Sequence, residues 1–274
     1  MEILKAILFG IIEGITEWLP VSSTGHIILL DEFIKLNVTP EFKELFEVVI
    51  QLGAILAVVC LYFKTLCPWG FGKDKEDTKN TLSLWGKIIV ACVPAAVIGF
   101  LFDDWFDEHF FNPETVAIAL IVYGVIFLVI ENVKKFSSRE TRSLNTVTTK
   151  EAFGVGLFQI LALIPGTSRS GSTIIGGLLF GMDRKTAADF TFILAIPVMA
   201  GASLLKLVKY LKMGLAFSMM EIEILVVASV VAFLVSMIVI KFFLDYIRKH
   251  DFKPFGWYRI VLGIIVLAYF FLIK

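Results

Sequence analysis

Two short polar runs hold the residues able to do chemistry. The first is Glu13-Gly14-Ile15-Thr16-Glu17-Trp18-Leu19-Pro20-Val21-Ser22-Ser23-Thr24-Gly25-His26, and the second is Pro165-Gly166-Thr167-Ser168-Arg169-Ser170-Gly171. Glu13 and Glu17 are four residues apart, so on a helix their carboxylates share one face, one turn apart. Ser23 precedes His26 by three residues, again one turn, and a hydroxyl beside an imidazole or a carboxylate base is the pairing that activates such a nucleophile. Ser22 and Thr24 in the first run, with Thr167, Ser168 and Ser170 in the second, surround two helix starts whose free N–H groups and dipoles suit a phosphoryl group. Arg169 adds a forked donor that fits phosphate oxygens.

The expected ligand is therefore a phosphate or diphosphate, and the expected reaction is hydrolysis of a phosphoanhydride. Ser23 is expected to attack the terminal phosphorus while His26 handles the proton. Arg169 and the loop amides hold the developing charge, and Glu13 and Glu17 bind metal or act as base. Attack by a metal-activated water, with the serines only positioning phosphate, uses the same residues and stays open. With His26 neutral, the two glutamates and Arg169 sum to −1 facing another anion. A hard divalent cation, Mg²⁺ or Ca²⁺, is the expected cofactor that offsets this charge.

Each residue also has a plainer explanation. The plain explanation of Glu13 and Glu17 is hydration at an interface, since Glu2 and Lys5 show that this end reaches water; the polar run that follows argues for a wet cavity instead. Ser22, Ser23, Thr24, Thr167 and Ser168 can simply cap helices. Capping does not explain His26 or Arg169. Arg259 and Lys87, close to the ends of apolar stretches, read as snorkelling side chains.

The elements that must position these residues follow from composition. Of 274 residues, 58% are apolar and 18% charged, and Phe alone numbers 26; the mean hydropathy is +0.85. This is a polytopic membrane protein, well above soluble usage. Equal numbers of basic and acidic residues, 25 each, leave no excess to hold nucleic acid. Cys60, Cys67 and Cys92 have no metal-site spacing and are assigned no chemistry. The N-terminus lacks a cationic leader and meets Glu13 and Glu17 in place of a cleavage site, so it reads as mature protein.

Six stretches are long enough to cross the hydrocarbon, near 46–63, 84–102, 115–131, 188–208, 221–243 and 256–273. Trp257 and Tyr258 open the last as interfacial rings. Two further apolar regions, 3–30 and 152–181, break at Pro20 and Pro165, and each half is too short to span. They read as re-entrant hairpins whose irregular backbone is buried in protein or lines a cavity. The predicted fold is all-α and membrane-integral: six full spans plus two re-entrant hairpins, in one membrane domain. A first repeat over 1–131 and a second over 152–274 each hold a hairpin and three spans. The breaks align at an offset of 145 to 146 residues, pairing Ser23 with Ser168 and Gly25 with Gly171. Three is odd, so the second repeat runs inverted relative to the first.

Counting Lys and Arg places fifteen on the side of loops 64–83 and 132–151, with Arg184, Lys185 and the residues from Lys241 to Lys253, against seven on the other. The positive-inside rule makes the first side cytoplasmic. Both termini, the first hairpin and an acidic loop with Asp103, Asp104, Asp107 and Glu108 then face outward.

Both runs closely resemble the two signature motifs of bacterial undecaprenyl pyrophosphate phosphatase, the bacitracin-resistance integral membrane family, and the resemblance extends through Phe46-Glu47-Val48-Val49-Ile50-Gln51-Leu52-Gly53. It implies a plasma-membrane enzyme that removes one phosphate from the C55 polyprenyl diphosphate carrier at the outer face, regenerating the monophosphate for cell-wall synthesis. It also implies a metal-dependent site of Glu13, Glu17, Ser23, His26 and Arg169, supported by Thr24 and Ser168. The expected partners are this lipid and the membrane, with a second copy of the chain, as a homodimer, a further candidate. Two rival readings are a secondary transporter or lipid-carrier flippase, which inverted repeats and broken helices also suit, and a lipid phosphatase with a His nucleophile near a Ser-Arg pair. The latter fits less well, because His109 and His250, expected in loops, have no such pair beside them.

Overall fold

The computed structural model describes residues 1–133 and 140–272, apart from the side chains of Asp103, Asp104, Asp107 and Leu272. Lys134, Lys135, Arg139 and Lys274 of the charge count lie outside the described residues. Every regular element described is helical: α1 (Glu2–Thr16), α2 (Ser23–Phe33), α3 (Pro40–Leu61), the one-turn α4 (Phe63–Leu66), α5 (Lys75–Phe110), α6 (Pro113–Asn132), α7 (Thr149–Ile160), α8 (Arg169–Phe180), α9 (Arg184–Lys212), α10 (Met219–Ile247) and α11 (Lys253–Leu272).

Six helices, α3, α5, α6, α9, α10 and α11, are long and apolar enough to cross a membrane, one for each stretch found in the sequence. They overrun those stretches because polar residues cap their starts. Thr39 accepts the Phe42 N–H just before Pro40, and Asn112 accepts that of Thr115 just before Pro113. Asp183 accepts from Lys185 and Thr186, and Ser218 closes a capping box with Glu221. The segment with Asp103, Asp104, Asp107 and Glu108, expected as a loop, is helical, as is His109. The reason is that no Gly or Pro interrupts the run after Gly99 until Asn112-Pro113, and Trp105 packs on Phe106 and Phe110 at 5.3 and 5.5 Å.

Helices α1, α2, α7 and α8 have 15, 11, 12 and 12 residues. At 1.5 Å per residue they reach only about 16–23 Å each, short of a hydrocarbon core of about 30 Å. The chain turns between α1 and α2, and between α7 and α8, and both turns end in a serine forced to positive φ. Ser22 has φ 72° and Ser168 has φ 70°. Each hydroxyl accepts the N–H three residues on, Gly25 at 3.3 Å and Gly171 at 3.1 Å. The backbone thus pairs Ser22, not Ser23, with Ser168, and Arg169 takes the place that Ser23 holds in the first turn. A non-glycine residue in this region costs about 1–3 kcal/mol and persists only where its surroundings enforce it.

Helix α1 lies along α10, α7 lies along α5, and α6 crosses α11. The buried stripe of α1 is Ala6, Phe9, Gly10, Glu13 and Gly14, a three- and four-residue spacing that places Glu13 on the same face as the two glycines. Those glycines let the backbones touch: a Cβ on Gly10 would stand 2.5 Å from the Ala228 carbonyl oxygen, and one on Gly14 2.8 Å from that of Ala232. Gly156 on α7 does the same against Ala91 of α5, where a Cβ would stand 2.5 Å from the carbonyl oxygen. Small residues at such crossings replace the hydrophobic drive that lipid removes. Gly14→Leu should force α1 off α10 and lower the unfolding midpoint measured in detergent, by an overpacking cost of about 1–3 kcal/mol; an unchanged midpoint would refute this packing.

Candidate active site

The turn after α1 begins at Glu17, whose N–H still closes on the Glu13 carbonyl. Trp18 fills the core behind it, fully buried and edge-on to Phe192 at 5.2 Å. The Glu17 carboxylate therefore faces the turn between α7 and α8 and joins the two polar runs. Ser23 Oγ donates to Glu17 Oε2 at 2.7 Å. Arg169 donates to Glu17 Oε1 through Nη2 at 3.1 Å and Nε at 3.3 Å. Its third nitrogen, Nη1, donates to the Thr191 carbonyl at 3.0 Å, and the guanidinium lies 6.0 Å from the Trp18 ring centre. Nucleophile candidate, carboxylate and guanidinium are thus in direct contact across 152 residues of chain.

Other hydroxyls expected around phosphate serve the turns. Ser22 and Ser168 are the two caps described above. Thr167 Oγ1 donates to the Leu161 and Ile164 carbonyls at 2.8 and 2.7 Å. Ser170 Oγ donates to the Leu19 carbonyl at 3.2 Å and lies 3.1 Å from Ser168 Oγ, which ties one turn to the other. Thr24 is half-buried in the first turn of α2. His26 does not face Ser23. Its Nδ1 meets the Ser22 carbonyl at 2.7 Å and its Nε2 meets the Tyr258 hydroxyl at 2.6 Å, so the group that faces the Ser23 hydroxyl is Glu17.

Glu13 is fully buried, and neither of its carboxylate oxygens has a hydrogen-bond partner. An unpaired buried carboxylate is expensive, and one turn from Glu17 it presents hard oxygen donors of the type a divalent cation takes. Among the described residues no group of three or more His, Cys, Asp or Glu side chains gathers for a metal. The residues present fit such an ion only as a carboxylate pair, with the remaining coordination left to phosphate oxygens and water.

The sequence reading missed Arg259. Expected to snorkel at a span end, it is fully buried. It sits between the turns, donating to Pro20 O at 3.1 Å in the first and to Gly166 O and Thr167 O at 2.8 and 2.9 Å in the second. Long contacts of 3.5 Å reach the Ala119 and Leu120 carbonyls of α6, and the guanidinium covers the Tyr123 ring at 5.5 Å. The signal that could have found it is the flanking Gly256 and Gly263, which bring α11 against α6: a Cβ on Gly256 would stand 2.9 Å from the Gly124 oxygen. Counting this charge brings the constellation from −1 to zero. Lys87, by contrast, reaches the Asn145 carbonyl at 3.1 Å on the exposed surface.

The model of the family described as "Bacitracin resistance protein BacA" matches residues 6–265. An undecaprenyl-diphosphatase of Desulfitobacterium hafniense is 58% identical over 271 residues, covering 98% of this chain and 96% of that protein. One from Enterococcus faecalis is 57% identical over 265 residues, with 97% and 96% covered, and undecaprenyl-diphosphatase 1 of Clostridioides difficile is 58% identical over 273 residues, with 100% and 98% covered. With its two polar runs in contact through Glu17 and near full-length identity of this degree, the chain belongs to the bacitracin resistance protein BacA family.

Proposed function

We propose that this chain hydrolyses undecaprenyl diphosphate to undecaprenyl phosphate and inorganic phosphate, and so returns the lipid carrier to cell-wall synthesis and confers bacitracin resistance. The observation that carries the reading is the single carboxylate, Glu17, that holds both the Ser23 hydroxyl and the Arg169 guanidinium. A hydroxyl at 2.7 Å from a carboxylate has a base in place. The names of the relatives favour hydrolysis over transport or flipping.

Chemically, Ser23 Oγ attacks the terminal phosphorus as its proton passes to Glu17, forming the Oγ–P bond and breaking the bridging P–O bond. Undecaprenyl phosphate leaves with a proton from His26, which must first have taken one up from solvent to become imidazolium. Water then cleaves the phosphoserine, its proton passing to the now neutral His26 while Glu17 returns its proton to Ser23 Oγ, and inorganic phosphate is released. Arg169 is positioned to exchange one of its Glu17 contacts for a phosphate oxygen, where it offsets the charge that builds up. Glu13 and Glu17 would hold a divalent cation, Mg²⁺ or Ca²⁺, which supplies neutralisation of the diphosphate when bound. With Arg259 counted, the protein side of the site is neutral, so the need for the cation comes from the substrate's own charge and from the unpaired Glu13.

The same proposal extends to architecture. The two helix–turn–helix elements are read as re-entrant hairpins of an inverted repeat over 1–131 and 152–274. Matching serine caps, and the way α1 packs on a helix of the second half while α7 packs on one of the first, support that reading. The Lys and Arg distribution supports an active site open to the outer face of the plasma membrane, with both termini outside.

Phosphate release from polyprenyl diphosphate by purified protein tests the reading. Ser23→Ala, Glu17→Gln and Arg169→Ala should each lower kcat about 10²–10³-fold, and a phosphoenzyme trapped by acid quench should be acid-stable in wild type and missing in Ser23→Ala. Full activity of Ser23→Ala, or an acid-labile intermediate, would transfer the nucleophile's role to water or His26. Chelation should abolish turnover and added Mg²⁺ or Ca²⁺ restore it, with Glu13→Gln needing more cation; indifference to chelator would exclude a cation at this pair. Arg259→Met should lower both activity and the unfolding midpoint, because each carbonyl left unpaired in the interior costs about 1–3 kcal/mol; a variant as stable and active as wild type would deny Arg259 its tying role.

A further inference from the structure

Tyr258 reads from sequence as an interfacial ring. In the structure its hydroxyl is spent on His26, at 2.6 Å from Nε2, and the two rings lie parallel to within 2° at a centroid separation of 5.6 Å. The other ring nitrogen, Nδ1, lies 2.7 Å from the Ser22 carbonyl. A carbonyl only accepts, so Nδ1 carries the hydrogen, and in the neutral ring Nε2 is left as the acceptor of the Tyr258 O–H. Both ring nitrogens are thereby fixed, one by the strained cap of the first turn and one by the last membrane helix.

From this geometry we infer that Tyr258 is the positioning residue of His26, setting its tautomer and ring plane through the reaction. The inference rests on the proposed role of His26 as proton carrier. A phenol hydroxyl suits that role because it can change direction. It donates to Nε2 when the imidazole is neutral and accepts from Nε2–H when the ring has gained a proton. The ring therefore need not turn between the two states, and its proton is presented along one line. Ser, Thr or water at the same point would bond equally, but a rigid phenol ring lying parallel to the imidazole holds its hydroxyl in one place. Tyr258 is 47% exposed, so the contact lies at the edge of the protein and not in its core. Of the charged side chains on α1, α6 and α11 around the ring, Arg259, the neighbour of Tyr258, is the one that bears on it electrostatically. Consecutive residues of α11 thus divide the work: Arg259 ties the turns together and Tyr258 aims the imidazole.

The test is steady-state hydrolysis of polyprenyl diphosphate across pH by full-length Tyr258→Phe, Tyr258→Ala, His26→Ala and the double variant His26→Ala/Tyr258→Phe, each with its unfolding midpoint. Tyr258→Phe keeps the ring and removes only the hydroxyl. It should fold like wild type, lower kcat about 10-fold, as removal of an orienting partner does, and leave KM within about 2-fold. It should also displace the limb of the pH–rate profile that His26→Ala abolishes. The double variant should be no slower than His26→Ala alone, since a residue acting only through His26 has nothing left to act on. Wild-type kcat and pH profile in Tyr258→Phe, with loss confined to Tyr258→Ala, would reduce Tyr258 to packing and overturn the inference. A further tenfold loss in the double variant would overturn it too, by giving Tyr258 a role independent of His26. Should His26→Ala hydrolyse at the wild-type rate, the proton-carrier role itself falls. That result is separable from failure of the Tyr258 inference, in which His26→Ala is inactive and Tyr258→Phe is not.

Discussion

A guanidinium whose hydrogen bonds all go to main-chain carbonyls holds this structure's centre. Two helices break off where they meet, and each break leaves carbonyl groups without a helical partner. Arg259 is long enough, and forked enough, to reach carbonyls in both breaks and in α6 at once. Its position depends in turn on Gly124 and Gly256, which bring α6 and α11 to backbone contact. Everything polar in the site is therefore built on a scaffold of close helix crossings that only small residues permit.

On that scaffold the two polar runs are joined a second time, through Glu17. The carboxylate is shared: one oxygen takes the Ser23 hydroxyl and the other takes Arg169. Sharing makes the acid sensitive to both sides of the site, since whatever draws Arg169 toward an incoming anion also changes how firmly the serine proton is held. Glu13 stands apart, buried on the glycine face of α1 with neither carboxylate oxygen hydrogen-bonded. The positive-φ serines belong to the same economy: Ser22 spends conformational energy to aim both its own carbonyl, which fixes His26, and the start of α2, which carries Ser23.

Much of this was legible in the sequence, for reasons that differ from residue to residue. The six spans were readable because apolar length is a direct consequence of bilayer thickness; only their ends were misjudged, since caps such as Asp183 and Ser218 extend helices beyond the apolar stretch. That the two polar runs meet was expected from two broken helices rich in hydroxyls, and they do so through Glu17 and Arg169. What escaped was pairing. Ser23 stands one turn from His26 in sequence, yet the turn rotates the hydroxyl toward Glu17 and the imidazole toward Tyr258. Arg259 escaped because distance from a span's end does not tell a snorkelling arginine from one turned inward, and the carbonyls that receive it come from residues 20, 119, 120, 166 and 167. Ser22 and Ser23 are identical letters, and only the backbone shows that Ser22, at positive φ, is the cap that matches Ser168.

The full burial of Arg259 has a consequence for the habitat of the protein. Dissolved ions weaken attraction between exposed charges over about 8 Å at physiological ionic strength, but they cannot crowd around a cation enclosed by carbonyls. The tie this residue makes between the two turns is thus set by the protein interior and not by the medium, and it holds as the ionic strength of the surroundings changes.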